Sequence, residues 1–222
     1  MLDALWQRLA PLIEVDKPRL KSGRPRRKNR PIFDALIHLA RTGMQWSALP
    51  KDFLPKSTVH DCLQEWVEFG CLTAAWAVLL QEVDATVGLA WEWQSVDGCM
   101  VKAPLGKRTV QGDVQATGAN PTDRGKSGYK RHLLTEGQGI PLAFVLSGAN
   151  RQDMKKLAAL LDAKVLESPP MTQGQSHLCL DRGYDYEACR QAAQERGYTP
   201  HIPDSTKPIP APTDPNRIGS QH

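Results

Sequence analysis

The sequence predicts an α/β fold of the α+β kind, a mixed sheet flanked by helices and preceded by a small helical domain. Three observations lead there. Apolar residues recur at 3- and 4-residue spacing before about residue 88. From Trp91 the texture changes to short alternating runs bounded by glycines. The order is then β, β, β, α, β, α, β, a meander followed by alternating units, which calls for a sheet with helices packed against it. The expected divisions are 1–88, a helical domain, 89–202, a sheet domain, and 203–222, a proline-rich tail too polar to fold.

In the first division, Lys17 to Arg30 reads "KPRLKSGRPRRKNR", with eight Lys or Arg residues and no acid. Its prolines and glycine oppose a regular helix, so it reads as an extended basic arm, 17–30, either a solvated linker or a strand of cations for a phosphate backbone through Arg24, Arg26, Arg27, Lys28 and Arg30. Pro31 suits a first helical turn, and Ile32, Phe33, Leu36, Ile37 and Ala40 form one face before Gly43 breaks it. A second helix is expected over "KSTVHDCLQEWVEF", capped by Ser57 or Thr58, with Val59, Cys62, Leu63, Trp66 and Val67 on one side. The pair suits a helix-turn-helix-like domain and equally a small bundle that binds nothing.

In the second division, "WEWQSVDGCMVKA" is a first strand and "GYKRHLLTEGQGIPLAFVLSG" a hairpin turning at Glu136-Gly137-Gln138-Gly139. "DMKKLAALLDAKVL" is a helix burying Leu157, Leu160, Leu161 and Val165. "SHLCLD" is a strand, "YEACRQAAQERG" a helix stopped by Gly197, and "YTPHIP" a last short strand.

Composition excludes several classes. No apolar run reaches the roughly 20 residues of a membrane span, and the N-terminus lacks a secretory pattern, so a cytoplasmic location is expected. The five cysteines make no CxxC pair and sit mostly among apolar neighbours, as reduced core thiols do.

Two runs share an odd feature: "WQSVDGCMVK" and "SHLCLDRG" each set an aspartate, Asp97 and Asp181, into an apolar strand. Carboxylates there cost free energy to desolvate unless compensated, and two brought together repel, a conflict that a divalent cation removes. The alternative is a pair of ordinary strand-end acids, each near a glycine.

The blocks "RTGMQWSALPKDFLPKSTVHDCLQEW", "VDGCMVKAPLG", "GANPTDRGKSGYKRHLLTEGQGIPLAFVLSGANRQDMKKL" and "LCLDRGYDYEACRQAAQERGYTPHI" resemble, in order, bacterial insertion-sequence transposases of the DDE class, in the insertion-sequence-five group. The resemblance runs from about Gly23 to Arg217. It implies a helical domain that helps recognise the element's ends and a ribonuclease-H-like catalytic domain. Asp97 matches the family's first-strand aspartate and Asp181 the one ending the fourth strand. They are the implied catalytic residues and ligands of Mg²⁺ or Mn²⁺.

The implied chemistry is metal-dependent phosphodiester hydrolysis followed by attack of the freed 3′-hydroxyl on target DNA, carried out by a homo-oligomer on DNA in the nucleoid. "NPTDRGKSGYKR" offers Arg124, Lys126, Lys130 and Arg131 as phosphate contacts or is a plain solvated loop, and Asp153 is expected to cap its helix. The pattern departs at its end. The family's third acid is a glutamate on a later helix, no glutamate follows Glu195, and Glu187 and Glu195 come too early. The resemblance thus implies a truncated product lacking the third acid. Its alternative function is that of a non-catalytic DNA-binding regulator or inhibitor of the full-length enzyme.

Overall fold

The computed structural model describes residues 3–15, 26–103, 110–111, 114–115, 117–121, 123–169 and 176–204. Arg24, most of the basic run and nearly all of the proline-rich tail lie outside them. The chain divides into two compact units, Met1–Gly88 and Leu89–His222.

The first unit holds helices α1 (Asp3–Leu9), α2 (Asn29–Thr42), α3 (Lys56–Glu68) and α4 (Cys71–Thr86). Helix α2 begins inside the basic run, so Asn29 and Arg30 are helical rather than part of an extended arm. Gly43, with φ 64°, takes the left-handed C-cap that glycine adopts without steric cost. Helix α3 starts after Pro55 with no side-chain cap, so neither Ser57 nor Thr58 has the expected role. Ile32, Phe33, Ala35, Val59 and Trp66 form the core with Leu9, Ile13, Cys71 and Ala75. Ile37 and Val67, expected inside, are exposed. Helices α1 and α4 carry weaker sequence signals. Helix α4 is apolar almost all round, "CLTAAWAVLL", so no stripe marks it, and its sign is Gly70 at φ 69° just before it.

The second unit is built on strands β1 (Trp93–Lys102), β4 (Gly118–Ala119), β5 (Ser127–Glu136), β6 (Pro141–Gly148), β7 (Ser176–Cys179) and β8 (Tyr198–His201), with helices α5 (Leu157–Asp162) and α6 (Glu187–Gln194) in the crossovers. A separate two-stranded ribbon, β2 (Val110–Gln111) with β3 (Val114–Gln115), and β4 add short strands to the expected order. Strand β5 pairs antiparallel with β1 on one side and with β6 and β4 on the other, while β1, β7 and β8 run parallel. The path β6-β5-β1-β7-β8 is the ribonuclease-H-like order, three antiparallel strands continued by two parallel ones.

Alternation along β1 fixes the two faces. Gln94 and Val96 are buried while Trp93, Ser95 and Asp97 are exposed. On the inner side Val96, Leu134, Leu142 and Leu178 are buried, as are Leu157, Leu160 and Leu161 of α5 and Ala193 of α6. The opposite face stays open, with Trp93, Phe144 and Leu146 exposed.

Candidate active site

Asp97 stands in mid-β1, and Asp181 follows the end of β7. The last ladder pair between these strands is Ser95 with Cys179. Each aspartate lies two residues further along its strand, so parallel pairing brings both to one level of the sheet. Both are exposed. Asp97 accepts a hydrogen bond from the Gly98 amide at 2.9 Å, and Asp181 accepts one from the Gly183 amide at 2.9 Å, capping the 3₁₀ turn Arg182–Tyr184. Among the described residues no Lys or Arg side chain pairs with either carboxylate. Paired oxygen donors of this kind suit one hard divalent ion. Among the described residues, however, no group of three or more His, Cys, Asp or Glu gathers as a metal site.

Behind β1 lies a polar network that the sequence did not disclose. Asp153 heads the 3₁₀ turn Asp153–Lys156 and caps nothing; Gln152 holds the N-cap position. Its carboxylate instead accepts from Lys130 Nζ at 3.1 and 3.0 Å and lies 3.6 Å from His132 Nδ1. His132 Nε2 is 2.8 Å from Ser147 Oγ. A Ser-His-Asp order invites a nucleophile reading, but Ser147 is 1% exposed, so no substrate reaches it. Gly98 leaves room for this carboxylate: a Cβ there would come within 2.9 Å of Asp153 Oδ1. Asp153 therefore packs against the inner side of β1, the side opposite Asp97.

Burial pulls the His132 imidazole below its ordinary value, with the Asp153 charge opposing that shift and Lys130 and Lys156 reinforcing it. Because the folded value lies below the unfolded one, His132 stabilises fully above about pH 6.5, and that contribution is lost as pH falls toward the folded value. Denaturant titrations between pH 7 and 5 are expected to show falling stability, with a shallower fall for His132→Gln.

Tyr184 lies in the 3₁₀ turn that Asp181 caps. It is 1% exposed, and among the described residues its hydroxyl has no hydrogen-bond partner. Burial, and then the charges of Asp153, Asp181 and Asp97, push the phenol upward, so it keeps its proton. It thus stands within the field of carboxylates from three separate segments.

The basic candidates divide. Lys130 is drawn inward to Asp153, and Arg131, the next residue, is exposed on the other face. Lys126 pairs with Asp123 at 3.8 Å, beside Lys102 at 3.2 Å from the same carboxylate. Arg124 is exposed, with φ 50°. Arg26 pairs with Glu65 and Arg30 with Asp3, while Arg27 and Lys28 are exposed. Arg24 lies outside the described residues. Of the cysteines, all free, Cys71 and Cys189 are buried, but Cys99 is exposed on the open face rather than in a core. Glu187 is exposed and Glu195 accepts from Gln191 at 2.9 Å, both on or just past α6.

Comparison with known proteins bears on this arrangement. Residues 1–76 match the model of a putative transposase of the IS4/5 family, and residues 94–210 match the transposase DDE domain. A putative transposase for insertion sequence element IS402 from Burkholderia cepacia is 42% identical over 93 residues, 39% of this chain and 42% of that protein. The uncharacterised protein y4sN of Sinorhizobium fredii (strain NBRC 101917 / NGR234) is 35% identical over 79 residues, 36% of this chain and 58% of that one. The matches thus span about half of these relatives' own lengths. Among solved structures, the Mos1 strand transfer complex overlaps 84% of this chain and 60% of its own at 12% identity and a TM-score of 0.31. The Mos1 transposase paired-end complex with the left transposon end overlaps 88% and 65% at 11% identity and a TM-score of 0.31. Those overlaps are too loose to bear on the site, whereas the domain match covers more than half of the chain. The chain belongs to the transposase DDE-domain family.

Proposed function

We propose that the second unit acts on DNA phosphodiesters in transposition of an insertion sequence, with Asp97 and Asp181 holding one Mg²⁺ or Mn²⁺ ion. The observation that carries this reading is the parallel register of β1 and β7, which brings to one level two exposed carboxylates that have no cationic partner among the described residues. When bound, such an ion activates a water and offsets charge on the phosphate. The chain's own residues do the rest. The backbone amides of Gly98 and Gly183 orient the carboxylates, and Tyr184, in the turn that Asp181 caps, keeps its hydroxyl proton. Exposed cations, Arg131 and Arg124 on the second unit and Arg27 and Lys28 on the first, are proposed phosphate contacts.

The first unit is proposed to recognise the element's ends. A second reading is favoured by one observation: among the described residues no third metal ligand joins the pair. In that reading the chain binds DNA and regulates or inhibits a cutting enzyme. Incubating the chain with duplex DNA carrying the element's ends, with and without Mg²⁺, separates the two. Mg²⁺-dependent strand cleavage that disappears in Asp181→Asn supports the first reading, binding without cleavage supports the second, and Mg²⁺-dependent cleavage unaffected by replacing both aspartates contradicts the assigned site.

A further inference from the structure

We propose that Trp93, His177 and His201 form a stacking platform for an unpaired DNA base, on the same open sheet face as Asp97. The Trp93 and His177 rings stack with centroids 4.3 Å apart and planes 22° apart, and the His201 ring lies 5.1 Å from Trp93. His177 Nδ1 and His201 Nε2 are 2.9 Å apart, a hydrogen bond in which one neutral imidazole donates to the other and locks the two rings together. A rigid, preassembled aromatic group loses little entropy when a ligand stacks on it. Yet Trp93 remains 44% exposed, an unusual state for a tryptophan in the central strand of a sheet.

The surroundings favour a nucleobase. Beside Trp93 lies a cleft of about 670 Å³, lined by Leu89, Ala90, Gly137 and Pro169 among others, roomy enough for a flat heterocycle. Stacking on aromatic side chains is the sequence-tolerant way proteins hold unpaired bases, and cations on the same face serve the backbone. Arg131, paired in register with Cys99 of β1, supplies an exposed cation there. Trp93, Ser95 and Asp97 are successive outward positions of β1, which puts the platform about 13 Å from the acid at 3.3 Å per residue. That span is about four nucleotides of a stacked strand. The inference rests on the reading that a DNA strand crosses this face to reach Asp97 and Asp181; it adds where a base beyond the reacting phosphodiester is held.

The test is fluorescence anisotropy of a labelled 12-nucleotide oligothymidylate titrated with the whole chain at low salt and without divalent ions. Trp93→Ala is expected to weaken binding about tenfold or more, Trp93→Phe to retain most of it, and His201→Ala to show a smaller loss. Wild-type affinity in both alanine variants overturns the platform. So does a Trp93→Ala variant that dissociates an oligomer while binding the oligonucleotide normally, since the rings would then be a contact between two copies. Without divalent ions in the titration, failure of the Asp97–Asp181 ion site leaves this result standing, and failure of the platform leaves the ion site untouched.

Discussion

Glu136→Ala is expected to lower the stability of the second unit by about 3–5 kcal/mol. Glu136 is 1% exposed, and its carboxylate accepts three backbone hydrogen bonds: from Gln138 and Ile140 at 2.8 and 2.9 Å through Oε1, and from Ala90 at 2.7 Å through Oε2. The first two close the β5–β6 turn, and the third fixes the entry to β1. Removing the carboxylate leaves three N–H donors without their acceptor, and a hydrogen bond to a charged group is worth roughly 1.5–3 kcal/mol. Partial rehydration of the turn keeps the total below the sum of three. Thermal melting followed by circular dichroism reads the loss as a fall of about 10 °C or more. A change of only a degree or two would show that the turn holds itself without Glu136. Glu136→Gln, which keeps an acceptor on one oxygen, is expected to fall between.

Glu136 also shows what can and cannot be read in a sequence. The turn Glu136-Gly137-Gln138-Gly139 is legible because glycine and polar residues interrupt two apolar runs. The bond from Ala90, 46 positions away, has no local signature. The same division holds at the site. Asp97 and Asp181 stand out because an acid in a strand is costly, and the parallel register follows from the order of elements. Asp153 resembles a helix cap by position, and only the structure shows Lys130 and His132 reaching it from β5. Lys130 reads as surface charge in "KSGYKR", yet its place on β5 turns it inward, whereas Arg131 emerges on the open face. Strand alternation already separates the two, and their opposite destinations could have been foreseen from it. Trp93, His177 and His201 come from three strands, and a ring stack assembled by pairing leaves no trace in spacing.

The other large effect concerns the two strand aspartates. Among the described residues each carboxylate accepts one backbone hydrogen bond, which leaves oxygen lone pairs over, and neither has a lysine or arginine partner. Replacing either by asparagine keeps the shape and removes a charge. Since disturbing even the groups behind a metal ligand costs about 10–100-fold in affinity, loss of one of two charged ligands is expected to cost at least about 100-fold. The same change relieves repulsion between the two acids, so the folded unit is expected to keep or slightly gain thermal stability without metal. That combination separates a ligand from a structural acid, whose removal would cost stability and leave metal affinity alone.

The most direct measurement is an electron paramagnetic resonance titration of Mn²⁺ into the whole chain, its Asp97→Asn variant and its Asp181→Asn variant, all without DNA. The structure leads us to expect one bound ion per chain in the wild type, displaced by Mg²⁺, and no comparable binding in either variant. Equal Mn²⁺ affinity in all three would contradict the assignment of Asp97 and Asp181 as a shared ion site.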